Sequence, residues 1–125
     1  MDKYSLDGHK LHYHVKRVTE WLNGDDIGPI YMEVSPAGAC NHRCKFCALD
    51  FMGYKPVYLN PETLANRLKE FADIGLKAVM FAGEGEPLIH KNIGDICKSA
   101  KAAGLDYSLT TNGVLLNNKR CDKII

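Results

Sequence analysis

Lys77-Ala-Val-Met-Phe-Ala82 is a nearly unbroken apolar run, and it passes directly into Gly83-Glu-Gly-Glu-Pro87. A strand with one wet face alternates apolar and polar residues. A strand without alternation is expected to be covered on both faces, as in parallel sheets flanked by helices. The flanking segments agree. Asn60-Pro-Glu-Thr63 has the chemistry of a helix start, with Asn60 as cap and Pro61 in the first turn, where a missing N–H costs nothing. Leu64, Leu68 and Phe71 form that helix's apolar stripe, and Gly75 is placed to end it. On the other side, Ile93 to Ala103 reads as a second helix with Ile93, Ile96, Ala100 and Ala103 facing inward and Gly104 at its end. Leu105 to Thr111 is a further strand, and Asn117 to Ile125 starts another helix.

Towards the amino terminus, Ile30-Tyr-Met-Glu-Val-Ser-Pro36 is rich in β-branched and aromatic residues and predicts the first strand. Before it, Leu11, Val15, Val18 and Leu22 recur at helical spacing within His9 to Leu22, with Gly24 as the stop. The alternation of strands and helices predicts an α/β fold with parallel strands and right-handed crossovers. Three strands cannot close a barrel. The expectation is therefore about three βα units of a partial parallel (β/α) barrel, preceded by an amino-terminal helix. Residues 1–28 form the helical segment, and residues 29–125 form the first half of a core truncated at its carboxyl end.

The 125 residues are 46% apolar and 25% charged, with a net charge of +1. Such a balance offers no basic footprint for nucleic acid or an anionic membrane. MDKYSLDGHK has no apolar core of a signal peptide, and no run approaches the roughly 18 apolar residues of a membrane span. The chain is expected to be soluble and cytoplasmic. Its five cysteines are an odd number, and three fall within Cys40-Asn-His-Arg-Cys44-Lys-Phe-Cys47. Clustering of that kind, without a secretion signal, indicates reduced thiolates and a metal rather than disulfides.

Thiolates are soft ligands suited to zinc or to iron–sulfur clusters. A structural zinc site needs four ligands, and His42, the one nearby candidate for a fourth, lies cramped inside the first spacing. A cluster held by three cysteines leaves one iron open. The spacing C-x3-C-x2-C, with aromatic Phe46 before the last cysteine, resembles the signature of the radical S-adenosylmethionine (radical SAM) superfamily. By that resemblance Cys40, Cys44 and Cys47 hold a [4Fe-4S] cluster, and Phe46 lies near the adenine of SAM. The fold implied is the radical SAM type of (β/α) core. The activity implied is reductive cleavage of SAM to a 5′-deoxyadenosyl radical that abstracts hydrogen from a substrate.

Two further segments carry the resemblance. Gly83-Glu-Gly-Glu-Pro87 is similar to the family's GGEP element, with Glu84 where a glycine is usual. Gly83, Gly85, Glu86 and Pro87 would then receive the methionyl amino group, with the Glu86 charge beside the ammonium. Thr111-Asn112-Gly113 is similar to a T-N-G element facing the cofactor, so Thr111 and Asn112 would bond SAM. All three motifs fall at predicted strand carboxyl ends, the edge where parallel α/β folds bind ligands. The resemblance implies an electron donor such as flavodoxin or ferredoxin. The unknown substrate is a small molecule or a peptide, in peptide maturation or cofactor biosynthesis. A non-catalytic zinc module using the cysteine loop is the alternative.

Other residues have simpler readings. Cys97 and Cys121 are free thiols packed as small hydrophobes. His9, His12 and His14 suit a solvated helix face. Trp21 and the methionines are core or helix-packing groups. Asp50, Phe51 and Tyr54 shield the cysteine loop or pack beneath it. The role of Glu84 is left open, a solvated carboxylate being its simplest reading.

Overall fold

The computed structural model describes residues 10–49, 51–53 and 55–125, so the readings made for His9, Asp50 and Tyr54 lie outside the described residues. Three parallel strands form one sheet in the order β1 (Tyr31–Val34), β2 (Ala78–Phe81), β3 (Asp106–Leu109). Tyr31, Ala78 and Asp106 stand abreast at one end, and Val34, Phe81 and Leu109 at the other. Their carboxyl ends therefore reach one common rim.

Helices α2 (Pro61–Asp73) and α3 (Ile93–Ala102) are the crossovers. Asn60 caps α2 as its chemistry requires, with its side chain accepting from the Thr63 N–H at 2.9 Å. Gly75 and Gly104 follow the two helices with φ of +103° and +77°, the left-handed backbone expected at such stops. Leu64 and Leu68 from α2, Ile93, Ile96, Cys97 and Ala100 from α3, and Val79 and Phe81 from β2 make one core with Leu76, Leu88 and Leu105. Burial pushes the Cys97 thiol up to about 11. A short last helix, α4 (Asn118–Ile124), caps with Asn117 and accepts the Tyr107 hydroxyl at the Ile124 carbonyl, 2.6 Å away.

Two expectations change. First, β2 is covered on one face only. Val79 and Phe81 are buried under the helices, whereas Ala78 and Met80 are half-buried. On the outer strands Met32, Val34, Tyr107 and Leu109 turn to the core while Tyr31, Glu33, Asp106 and Ser108 face away and are exposed. Ala78 and Met80 are too small or too flexible to betray that second face by polarity. Tyr31 donates there to Glu33 at 3.1 Å, and desolvation followed by that bond raises its hydroxyl.

Second, the amino-terminal helix is shorter and less buried than its stripe suggests. Lys10–His14 is a 3-10 turn, and α1 proper is Val15–Leu22. No Ser, Thr, Asp or Asn precedes Val15 as a cap, and His14 makes no side-chain capping bond. Leu11, Val15 and Leu22 are exposed, and so are Trp21 and Met52, contrary to their reading as packing groups. Met32, by contrast, packs on the core. The segment is tied to the connection before β1 through Arg17, which donates to the Gly28 carbonyl at 2.6 Å.

Candidate functional site

Three loops leave the carboxyl ends of β1, β2 and β3 and meet. The loop after β1 begins with Ser35-Pro-Ala-Gly-Ala39 and leads into the cysteines. Pro36 and Ala37 are buried, and Ala37 bridges to Tyr58, so the returning chain braces this entry. Cys40 and Cys47 are half-buried, Cys44 is exposed, and all three are free thiols. The Cys47 N–H donates to the Cys44 carbonyl at 2.9 Å, closing a turn between the last two cysteines. The His42 N–H lies 3.4 Å from the Cys40 sulfur. Phe46 projects from the loop and is 91% exposed. Phe51 is also largely exposed, so the reading that it packs beneath the loop fails.

The loop after β2 lies directly against this entry, and two glycines make that possible. A Cβ on Gly85 would stand 1.9 Å from the Ala37 carbonyl oxygen and 2.6 Å from that of Ala39. A Cβ on Gly83 would stand 2.6 Å from the Ser35 Cβ, at a φ of +102° that side chains avoid. The Glu86 N–H donates to the Ala39 carbonyl at 2.8 Å, locking the two loops. Pro87 is buried and opens a 3-10 turn over Pro87–Ile89. Glu84 is exposed.

Glu86 is the buried charge of this rim. Its side chain is only 2% exposed. One carboxylate oxygen accepts from the Leu88 N–H at 2.9 Å and the Thr111 hydroxyl at 2.6 Å. The other accepts from the Asn112 N–H at 2.7 Å. Its charge is thus met by three protein donors, which is how a buried carboxylate is kept without a counter-ion. The Thr111 oxygen in turn accepts from the Gly113 N–H at 3.0 Å. Thr111 is half-buried in this bracket, while Asn112 turns its carboxamide to the cysteine loop and donates to Asn41 at 2.9 Å.

Several contributors carried no sequence signal. Ser35 follows a strand and looks like an ordinary loop residue. Its hydroxyl oxygen is buried without a hydrogen-bond partner, against Gly83 at the rim. Asn41 lies between two cysteines with no motif of its own. His90 is buried, with Nδ1 accepting from the Asn92 N–H at 3.1 Å and Nε2 facing the Leu59 carbonyl at 2.9 Å. It pins the start of α2 to the loop after β2. The Pro-Leu-Ile-His order after Glu86 is the one hint that a histidine closes that turn.

The donor set fits the group the motif implies. Three thiols sit on one rim loop, and among the described residues the Ser35 hydroxyl beside Gly83 is a buried polar atom left without a partner, as a polar ligand at this rim would use. Among the described residues, no three His, Cys, Asp or Glu side chains are placed to hold a single metal ion. A tetrahedral zinc site needs that convergence. An iron–sulfur cube takes each thiolate on its own iron and so holds the three sulfurs farther apart around one cluster. The zinc alternative finds no support. An open cleft of about 590 Å³ between Arg17, Asp25, Asp26 and Ile74 lies at the opposite end of the sheet, by the start of β1, and touches none of the motifs.

Comparison with known proteins agrees with this arrangement. A probable GTP 3′,8-cyclase of Methanothermobacter marburgensis is 33% identical over 90 residues, which cover 71% of this chain and 29% of that protein. An S-adenosylmethionine-dependent nucleotide dehydratase of Lacinutrix mariniflava is 37% identical over 84 residues, 63% of this chain and 17% of the other. This chain thus spans well under two thirds of the curated relatives it matches. The crystal structure of Streptococcus suis SuiB bound to S-adenosylmethionine superposes with a TM-score of 0.67 at 22% identity, over 98% of this chain and 29% of that one. At such identity the likeness speaks for the α/β fold alone. The model of the radical SAM superfamily matches residues 34–125, from the end of β1 through all three rim loops. With its cysteine, glycine and T-N-G loops on one rim inside that match, the chain belongs to the radical SAM superfamily, whose cofactors are a [4Fe-4S] cluster and SAM.

Proposed function

We propose that this chain is the cofactor-holding part of a radical SAM enzyme. In this reading residues 29–125 are the first half of the core, with residues 1–28 as a helical segment before it. Cys40, Cys44 and Cys47 hold the [4Fe-4S] cluster, and the rim between Gly83, Gly85, Phe46 and Thr111 receives SAM. The observation that supports it best is the mutual bracing of the three loops. Gly85 packs on the backbone of Ala37 and Ala39, and Glu86 joins Thr111 and Asn112 to the same edge.

Bound by Cys40, Cys44 and Cys47, a reduced cluster would supply the electron for cleavage of SAM, and SAM would supply the hydrogen-abstracting group. The chain's own residues have a positioning task. Gly83 and Gly85 bring backbone close to the ligand, and the unpartnered Ser35 hydroxyl offers it a hydrogen bond. Phe46 presents an uncovered ring that a bound adenine would shield from water. Glu86 sets the loop geometry through three donors, two on Oε1 and one on Oε2, and its charge lies beside the methionyl ammonium.

The substrate we propose is a nucleotide, the class in the names of the two sequence relatives, in preference to a peptide. The electron comes from a small reductant such as flavodoxin or ferredoxin. Reduced thiols and an oxygen-sensitive cluster suit the cytoplasm. Among the described residues no helix is long and apolar enough to cross a membrane.

The test is anaerobic reconstitution with iron and sulfide, then reduction and electron paramagnetic resonance with and without SAM. A reduced [4Fe-4S] signal that changes on adding SAM is expected. If no cluster forms, or if Cys44→Ala takes up as much iron and sulfide as the wild type, the reading is wrong.

A further inference from the structure

Asn112 has a position more specific than a turn requires. Its side-chain oxygen accepts from the Val114 N–H at 3.0 Å. That bond fixes the amide's orientation, because a flipped carboxamide would set NH₂ against N–H at Val114 and oxygen against oxygen at Asn41. The NH₂ group therefore faces the cysteine loop. It donates to Asn41 Oδ1 at 2.9 Å and lies 3.9 Å from the Cys40 sulfur, within reach of an N–H···S bond. The backbone that carries Asn112 is held by Glu86, which is buried at 2% exposure and accepts the Asn112 N–H at 2.7 Å.

We infer that Asn112 is a positioning residue for the cluster: its carboxamide donates to the Cys40 sulfur and raises the cluster's reduction potential, and Glu86 holds it in place. The inference rests on the assignment of Cys40 as a cluster ligand. The physical ground is charge. A cluster gains an electron on reduction, and its thiolate sulfurs become more negative. A donor aimed at one of those sulfurs stabilises the reduced form more than the oxidised one, so its removal makes reduction harder. The linkage also joins the loops after β2 and β3 to the first cysteine. A ligand that shifts the Gly83–Pro87 loop would therefore be felt at the cluster through Glu86 and Asn112.

The test is a redox titration of the reconstituted chain, followed by electron paramagnetic resonance, with iron and sulfide content measured in parallel. Asn112→Leu keeps the side chain's bulk and removes the donor. It is expected to bind as much iron and sulfide as the wild type and to titrate at a more negative potential. At the wild-type midpoint, the ratio of reduced to oxidised cluster should fall by about three- to tenfold, the worth of one modest hydrogen bond. Glu86→Gln loosens Asn112, which lowers the midpoint, but it also removes a buried negative charge, which raises it. The two are separated by making Glu86→Gln both in the wild type and in Asn112→Leu, where only the charge effect remains. If Asn112→Leu loses the cluster, Asn112→Ser carries the test, because serine can still serve the turn but is too short to reach Cys40.

Loaded variants with unmoved midpoints would overturn the inference and leave Asn112 a turn residue. An equal midpoint change on Glu86→Gln in the wild type and in Asn112→Leu would overturn the part given to Glu86. A wild-type chain that binds no cluster would bring down the ligand assignment itself, which is a different result from a loaded protein with an indifferent potential.

Discussion

Replacing Gly85 by alanine should be among the most damaging single-methyl additions in the chain. The added Cβ would lie 1.9 Å from the Ala37 carbonyl oxygen, 2.6 Å from the Ala39 oxygen and 2.8 Å from the Ala39 nitrogen. All three are backbone atoms, so no side chain can swing aside to make room. The loop after β2 must withdraw from the entry to the cysteine loop. Overpacking of this kind costs about 1–3 kcal/mol. Withdrawal also stretches the 2.8 Å bond from the Glu86 N–H to Ala39, worth about 1 kcal/mol more. Together they predict a loss of about 2–4 kcal/mol, or roughly 6–16 °C in melting temperature for a domain of this size. Thermal unfolding followed by circular dichroism measures it. Gly104→Ala is the control, since its Cβ meets nothing within 4 Å and pays only for the φ of +77°, about 1–2 kcal/mol. The reconstituted Gly85→Ala protein should also lose the spectral response to SAM. If Gly85→Ala melts no lower than Gly104→Ala and still responds to SAM, the close approach of these two loops is not what holds the rim together.

Other outcomes follow from the same geometry. Glu86→Gln sets an amide NH₂ among the Leu88, Thr111 and Asn112 donors, and urea unfolding should show a loss of about 2–3 kcal/mol. The Cys97 thiol, with an ordinary value of 9.0, is pushed up to about 11 by burial, so the folded chain holds its proton where the unfolded chain has released it. Stability from this group is complete below pH 9 and declines towards pH 11. Urea midpoints should thus fall more steeply over that range in the wild type than in Cys97→Ala. Removing the α2 cap with Asn60→Ala, which loses the bond to the Thr63 N–H, should cost about 1 kcal/mol by the same measurement. In the cluster-free protein, iodoacetamide should modify exposed Cys44 readily and leave buried Cys97 intact until urea is added.

The order of elements and the place of each motif were legible before any coordinates. Strands and helices here announce themselves locally, through the apolar run of Lys77–Ala82, the Asn60-Pro61 start and the glycines that end the crossovers. Parallel pairing then follows from chain connectivity, and it carries every strand's carboxyl end to one rim. For that reason the cysteine loop, Gly83–Pro87 and Thr111–Asn112 could be assigned to one site from their positions in the order. The register that sets Val34, Phe81 and Leu109 abreast is consistent with this.

What only the tertiary structure decided depends on contacts between residues far apart in sequence. Glu86 meets Thr111 and Asn112, 25 and 26 positions away, and Asn112 meets Asn41 across 71. No local pattern encodes such partners, because the direction of a side chain at a strand end depends on how neighbouring strands are aligned. The open second face of β2 was hidden for a related reason. Alanine and methionine are equally at home buried or half-exposed, so Ala78 and Met80 read as core although the structure leaves both half-buried. The exposed stripe on α1 is the mirror case. Helical periodicity marks which residues share a face, but whether that face is covered is settled by the surface it meets.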